Sequence, residues 1–177
     1  GDLIPLAALA AGFHELGHWT AVRLMGGEVR VLRLTVTGGN MELDHQRPLT
    51  YGSELAAILA GPGVNLLLAL LCARLGGEQE ALYALSGLSL ALGWFNLLPI
   101  YPLDGGRALL LILSAFTTPV RARQAVWGCS VILVALLLAA GMSFLWRGGR
   151  NLTLPGMALW LLCGLTRQEG ERTPVKK

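Results

Sequence analysis

The sequence predicts an all-α polytopic membrane protein with about five to six transmembrane helices and a small β-hairpin after the first helix. Three observations carry this. Of 177 residues, 54% are hydrophobic and only 14% charged, against about 25% charged in an ordinary soluble domain, and the mean hydropathy is +0.57. Leu55–Ala73, Ala81–Leu103 and Ala125–Trp146 contain no Asp, Glu, Lys, Arg or His, and each is near the ~20 residues that cross a bilayer. Basic residues gather at the edges of the apolar runs: Arg121 and Arg123, Arg147 and Arg150, then Arg167, Arg172, Lys176 and Lys177. That is the pattern of side chains snorkelling to a membrane surface.

Taken in order, the first helix is expected from about Leu3 to Met25, stopping at Gly26-Gly27. Beyond it the period changes. Leu32, Leu34 and Val36 alternate with Arg33, Thr35 and Thr37, the period of two that marks a strand. Gly38-Gly39-Asn40 has turn chemistry, and Met41–Asp44 is expected as the return strand. Gln46–Ser53 is a polar connector. Spans are then expected at about Glu54–Leu75, Ala81–Leu98, Asp104–Phe116, Gln124–Trp146 and Leu152–Leu165. Residues 1–166 read as a single membrane-embedded domain. Residues 167–177 read as a polar C-terminal tail, expected to be disordered.

Some classes are excluded early. The net charge of +3 is small, and no basic patch is interleaved with aromatics, so nucleic acid is not an expected partner. Cys72, Cys129 and Cys163 are isolated within apolar runs. An odd, scattered set argues against a disulfide framework or a CxxC zinc site, and each is expected to be a small packing residue. Gly1-Asp2 leads straight into the first span without an initiator Met, so the expectation is either a fragment with an upstream helix missing or a residual tag residue.

Chemistry concentrates in His14-Glu15-Leu16-Gly17-His18, inside the apolar run Leu3–Met25. HExxH on a helix places two imidazoles one turn apart on one face, a spacing that grips one zinc ion. Glu15 beside them can take a proton from a water held by that metal. Three ionisable groups at membrane depth are costly enough to be read as functional. A catalytic zinc takes three protein ligands, so an acid or histidine must come from elsewhere. Among the few acids near the apolar spans, Asp104 stands out, in Asn96-Leu-Leu-Pro-Ile-Tyr-Pro-Leu-Asp-Gly-Gly-Arg107. Pro99 and Pro102 break the preceding helix, and Gly105-Gly106 lets backbones approach. Asp also caps helices well, which is the plainer account of it.

The HELGH segment, the downstream N-x-x-P-x-x-P-L-D-G-G-R segment and the intervening Ala60-Gly61-Pro62-Gly63-Val64-Asn65 together resemble the site-2 protease family of intramembrane zinc metalloproteases. Without an evident appended domain, the layout most resembles the sporulation membrane protease branch. The resemblance implies one Zn2+ per chain, held by His14, His18 and Asp104, with Glu15 as the catalytic general base. It implies hydrolysis of a peptide bond in or near a transmembrane segment of a membrane-bound regulatory protein, in a multi-pass protein of a bacterial cell membrane. The expected partners are a transmembrane or membrane-associated protein substrate, the lipid bilayer and a regulatory membrane protein. It matches the hairpin to the family's membrane-associated β-segment, whose edge, over Leu32–Thr37, could pair with an unwound substrate.

Other residues carry two readings. Asn65 and Asn96 are candidates to steady the substrate backbone or its oxyanion, or they are interhelical hydrogen-bond glue. Arg107 is expected to snorkel or to pair with a carboxylate. His45 is not expected as a ligand, and Trp19 and Trp94 are expected to pack or to sit at the membrane interface. Two other functions compete: a catalytically inactive zinc-binding pseudoprotease, against which the presence of Glu15 argues, and a metal-dependent transporter, which also uses intramembrane acids and broken helices.

Overall fold

The computed structural model describes residues 3–27, 29–35, 38–43, 49–77, 79–147 and 152–170. They form two compact units, Gly1–Leu98 and Pro99–Lys177.

In the first unit α1 (Leu3–Leu24) is followed by β1 (Val29–Thr35), β2 (Gly38–Leu43), α2 (Tyr51–Leu75) and α3 (Glu80–Asn96). The end of α1 follows from its glycines. Gly26 sits at φ 78°, where only a residue without Cβ is comfortable. The Gly27 amide donates back to the Val22 carbonyl at 2.9 Å and the Gly26 amide to the Arg23 carbonyl at 3.1 Å. These two bonds close the helix in a Schellman arrangement. β1 and β2 pair antiparallel, Leu32 opposite Met41 and Thr35 opposite Gly38, with an irregularity between Val29 and Val31. Gly38-Gly39-Asn40, expected as the turn, instead opens β2. A register fixed by neighbouring strand residues overrides local turn chemistry. Val36, Thr37, Asp44, His45 and the first three residues of the polar connector, 46–48, lie outside the described residues.

α2 begins earlier than expected because Thr50 caps it: the Ser53 amide donates to Thr50 Oγ1 at 3.4 Å. Such a cap satisfies one of the helix's orphan amides. Pro62 lies inside α2, a position that membrane helices tolerate when neighbours cover the freed backbone groups. α1, α2 and α3 pack on one another. Ala10, Cys72 and Leu85 form a small buried cluster, flanked by Leu6, Leu68, Leu82 and Leu92.

The second unit holds α4 (Asp104–Phe116), α5 (Pro119–Trp146) and α6 (Thr153–Gly170). α4 packs on α5, and α5 on α6. Pro119 occupies the first turn of α5, where its fixed φ and missing amide cost nothing. α5 therefore starts five residues before the expected Gln124. α6 continues through Gly170, so residues 167–170 are helical rather than part of a disordered tail. Residues 171–177 lie outside the description.

Among the described residues, α2 and α5 are long and apolar enough to cross a membrane, with 25 and 28 residues. At 1.5 Å per residue they reach about 37 and 42 Å, more than a hydrocarbon core of about 30 Å. Only 17% of the apolar window of α5 is buried within the protein. Leu136, Met142 and Phe144 are exposed on it, which is an unfavourable surface for water and an ordinary one for lipid. Of the cysteines, Cys72 is buried as expected, Cys129 is half-buried and Cys163 is exposed.

Candidate metal centre

Local sequence places His14, Glu15 and His18 on one stretch of α1. The two histidines, one turn apart, lie on the same face, with ring centroids 4.7 Å apart and planes nearly perpendicular. Their Nε2 atoms stand 3.1 Å apart. His14 is buried, while Glu15 and His18 are half-buried.

The orientation of His18 is set from α2. Its Nδ1 lies 2.8 Å from the carbonyl oxygen of Ala57. A carbonyl can only accept, so Nδ1 carries the proton and donates it, leaving a lone pair on Nε2 of the neutral ring. This is the arrangement by which a ligating histidine has its tautomer and ring angle fixed. On the other side the ring lies against Gly61, where a Cβ would collide with His18 Nε2, Cε1 and Cδ2. One residue earlier on α1, Gly17 packs against the Ala60 carbonyl and the Val64 side chain. Small residues at the crossing thus let α2 come close enough to seat the imidazole.

The donor set fits zinc. Two nitrogens on one tetrahedral zinc, each at about 2.0–2.1 Å, lie about 3.4 Å apart, close to the observed 3.1 Å. In the metal-free protein His14 Nε2 can donate to the lone pair of His18 Nε2; a bound cation would take the place of that proton between the two nitrogens. Ala57 and Gly61 were not singled out from the sequence as parts of the site. Gly61 stood within a recognised motif, but a backbone carbonyl leaves no sequence signal.

Asn65 lies on the next turn of α2 and is fully buried. Its Cβ faces Gly93 of α3, and both amide atoms lack a hydrogen-bond partner among the described residues. Ser89, one turn from Gly93 on α3, is also fully buried, and its hydroxyl lacks a partner in the same sense. Asn96, the last residue of α3, is half-buried, and its Nδ2 donates to the Leu92 carbonyl at 3.0 Å. Trp19 is exposed near the end of α1, with the Arg23 guanidinium 5.5 Å from its ring centroid, a cation–π contact suited to a membrane interface.

In the second unit, Asp104 opens α4 and is buried, 7% exposed. Arg107, one turn on and exposed, brings Nη1 to 3.9 Å from Asp104 Oδ1, the pairing expected of it.

Residues 76–140, which include both Asn96 and Asp104, match Peptidase family M50. The solved structure of a site-2 protease from Methanocaldococcus jannaschii aligns over 99% of this chain and 79% of its own, with 27% identity and a TM-score of 0.74. The chain is similar to the site-2 protease family in residues 76–140 and in fold. A zinc metalloprotease of Methanocaldococcus jannaschii is 33% identical to this chain over 119 residues, 63% of the chain and 34% of the relative. Stage IV sporulation protein FB of Bacillus subtilis is 30% identical over 105 residues, 57% of the chain and 36% of that protein. The chain thus spans about a third of the length of these curated relatives. Site-2 proteases are membrane proteins, in keeping with the apolar α2 and α5, and the zinc named for the first of these curated relatives suits this donor set.

Proposed function

We propose that the chain is the catalytic core of an intramembrane zinc endopeptidase, multi-pass in a bacterial cell membrane with five to six spans. In this reading residues 1–166 act as one metalloprotease domain. It cuts a membrane-bound regulatory protein in or near a transmembrane segment, under the control of a membrane partner. The observation that carries the reading is the His14–His18 pair, its Nε2 atoms 3.1 Å apart and His18 oriented by the Ala57 carbonyl, with Glu15 adjacent. Asp104 is the third ligand; its burial at the start of α4 and its place in the downstream motif support that role.

Bound zinc supplies a Lewis acid that polarises the scissile carbonyl and brings the pKa of water down to about 7. Glu15 accepts the proton of the attacking water and returns it to the leaving amine, as a general base and then a general acid. Asn96, at the helix end before the Asp104 segment, is the better placed of the two asparagines to contact substrate. Asn65, enclosed between α2 and α3, suits interhelical bonding. The β1–β2 ribbon offers backbone donors and acceptors to an unwound substrate.

The deciding experiment is zinc content of the purified chain and of Asp104→Ala. About one zinc per wild-type chain, lost or much weakened in the variant, is the expected result. Full retention in the variant would remove Asp104 from the ligand set. The ribbon has its own test. Proline at Leu32, in β1, removes a backbone donor and is expected to slow cleavage while zinc content stays unchanged. Unaltered turnover would leave the ribbon with no part in substrate binding.

A further inference from the structure

We infer that Ser130 of α5 is a positioning residue for Asp104, acting through the turn that presents it; this rests on the reading of Asp104 as a zinc ligand. The turn Pro99–Leu103 enters α4 directly, and its parts are held on three sides within the second unit. At its centre the Tyr101 amide donates to Ser130 Oγ at 2.9 Å. The Ser130 hydroxyl spends its own proton on the Val126 carbonyl, 2.7 Å away in the preceding turn of α5. With its proton committed to Val126, the oxygen presents its lone pairs to Tyr101, so the acceptor has a fixed direction. Ser130 is fully buried, and no water competes for the bond.

α4 closes the second side. A Cβ on Gly106 would collide with the Ile100 carbonyl carbon and the Tyr101 nitrogen, so the turn rests directly on the helix it introduces. α6 closes the third, where Gly164 faces Pro102. Within the turn the Leu103 amide donates to the Ile100 carbonyl at 2.8 Å, and Ile100 is fully buried. Of these holds, Ser130 is the only side-chain hydrogen bond to the turn among the described residues. It sits 26 residues beyond Asp104, outside every motif that marks the metal site. Partners that orient a ligand without touching the metal typically change its affinity by 10–100-fold.

The test compares zinc affinity of the detergent-solubilised chain with Ser130→Ala, with Asp104→Ala as reference and Ser114→Ala as control. Ser114 makes the same kind of back-bond, to Leu110 at 2.7 Å, without receiving a bond from the turn. Ser130→Ala is expected to weaken zinc binding by about 10–100-fold and to speed amide hydrogen exchange at Tyr101 in the metal-free protein. Ser114→Ala is expected to do neither. If Ser130→Ala does not fold, the equal-sized pair Ser130→Thr and Ser130→Val isolates the hydroxyl: threonine is expected to hold zinc more tightly than valine by the same factor. Asp104→Ala weakened while Ser130→Ala, or the threonine–valine pair, shows no difference would overturn the positioning role alone. Full affinity in Asp104→Ala would overturn the ligand reading, and this inference with it.

Discussion

Glu15→Gln is expected to keep its zinc and its fold while losing cleavage of a membrane substrate by about 10²–10⁴-fold, the usual contribution of a general base. The substitution preserves shape and hydrogen-bonding reach but removes the proton acceptor. Glu15 follows His14 on α1 and is only half-buried, so the neutral amide meets no severe packing conflict. The measurement is turnover of a co-expressed substrate, with zinc per chain determined on the same preparation. Intact cleavage would remove Glu15 from the chemistry. A loss of zinc alongside a loss of cleavage would show that the substitution had acted on the metal site and not on proton transfer.

The second large effect is expected at Gly61→Ala. The added methyl falls on the His18 ring, and the ring cannot retreat without giving up its 2.8 Å bond to the Ala57 carbonyl. Zinc affinity is expected to fall by about 10–100-fold, the range for disturbing an orienting partner. Two glycines on the same helices serve as comparisons. Gly63→Ala meets nothing within 4 Å and is expected to be silent. Gly17→Ala strikes the Ala60 backbone oxygen, 2.8 Å from its Cβ, so it strains the same helix crossing without touching His18. Competition with a metal-sensitive dye reads all three. If Gly17→Ala weakens zinc as much as Gly61→Ala, the role of Gly61 is helix packing and not seating the imidazole.

The sequence carried the helical class and the HExxH face, because a charge deficit and an i, i+4 spacing are one-dimensional signals. It placed the ends of α1 and α4 well, where Gly26 and the Pro99–Pro102 break punctuate the chain. It placed the starts of α2 and α5 late. Thr50 caps one and Pro119 opens the other, and neither belongs to the apolar run that drew attention. The β2 start was misread for a related reason: Gly38 and Gly39 favour a turn in isolation, but ladder pairing with Thr35 and Leu34 decides. At the site, the residues that carry charge were legible. Those that orient them were not: Ala57 acts through its peptide group, Gly61 by having no side chain, and Ser130 as one hydroxyl in a long apolar helix.

The carbonyl of Ala57 has a consequence for how this site drifts over generations. The partner of His18 is a peptide group that every amino acid brings with it. Position 57 is thus free to exchange among residues small enough for its buried place on α2, with the contact undisturbed. Position 61 has no such freedom. A tolerance map of α2 would show a permissive position bearing the contact that orients the ligand, and an intolerant glycine four residues on with no chemistry of its own.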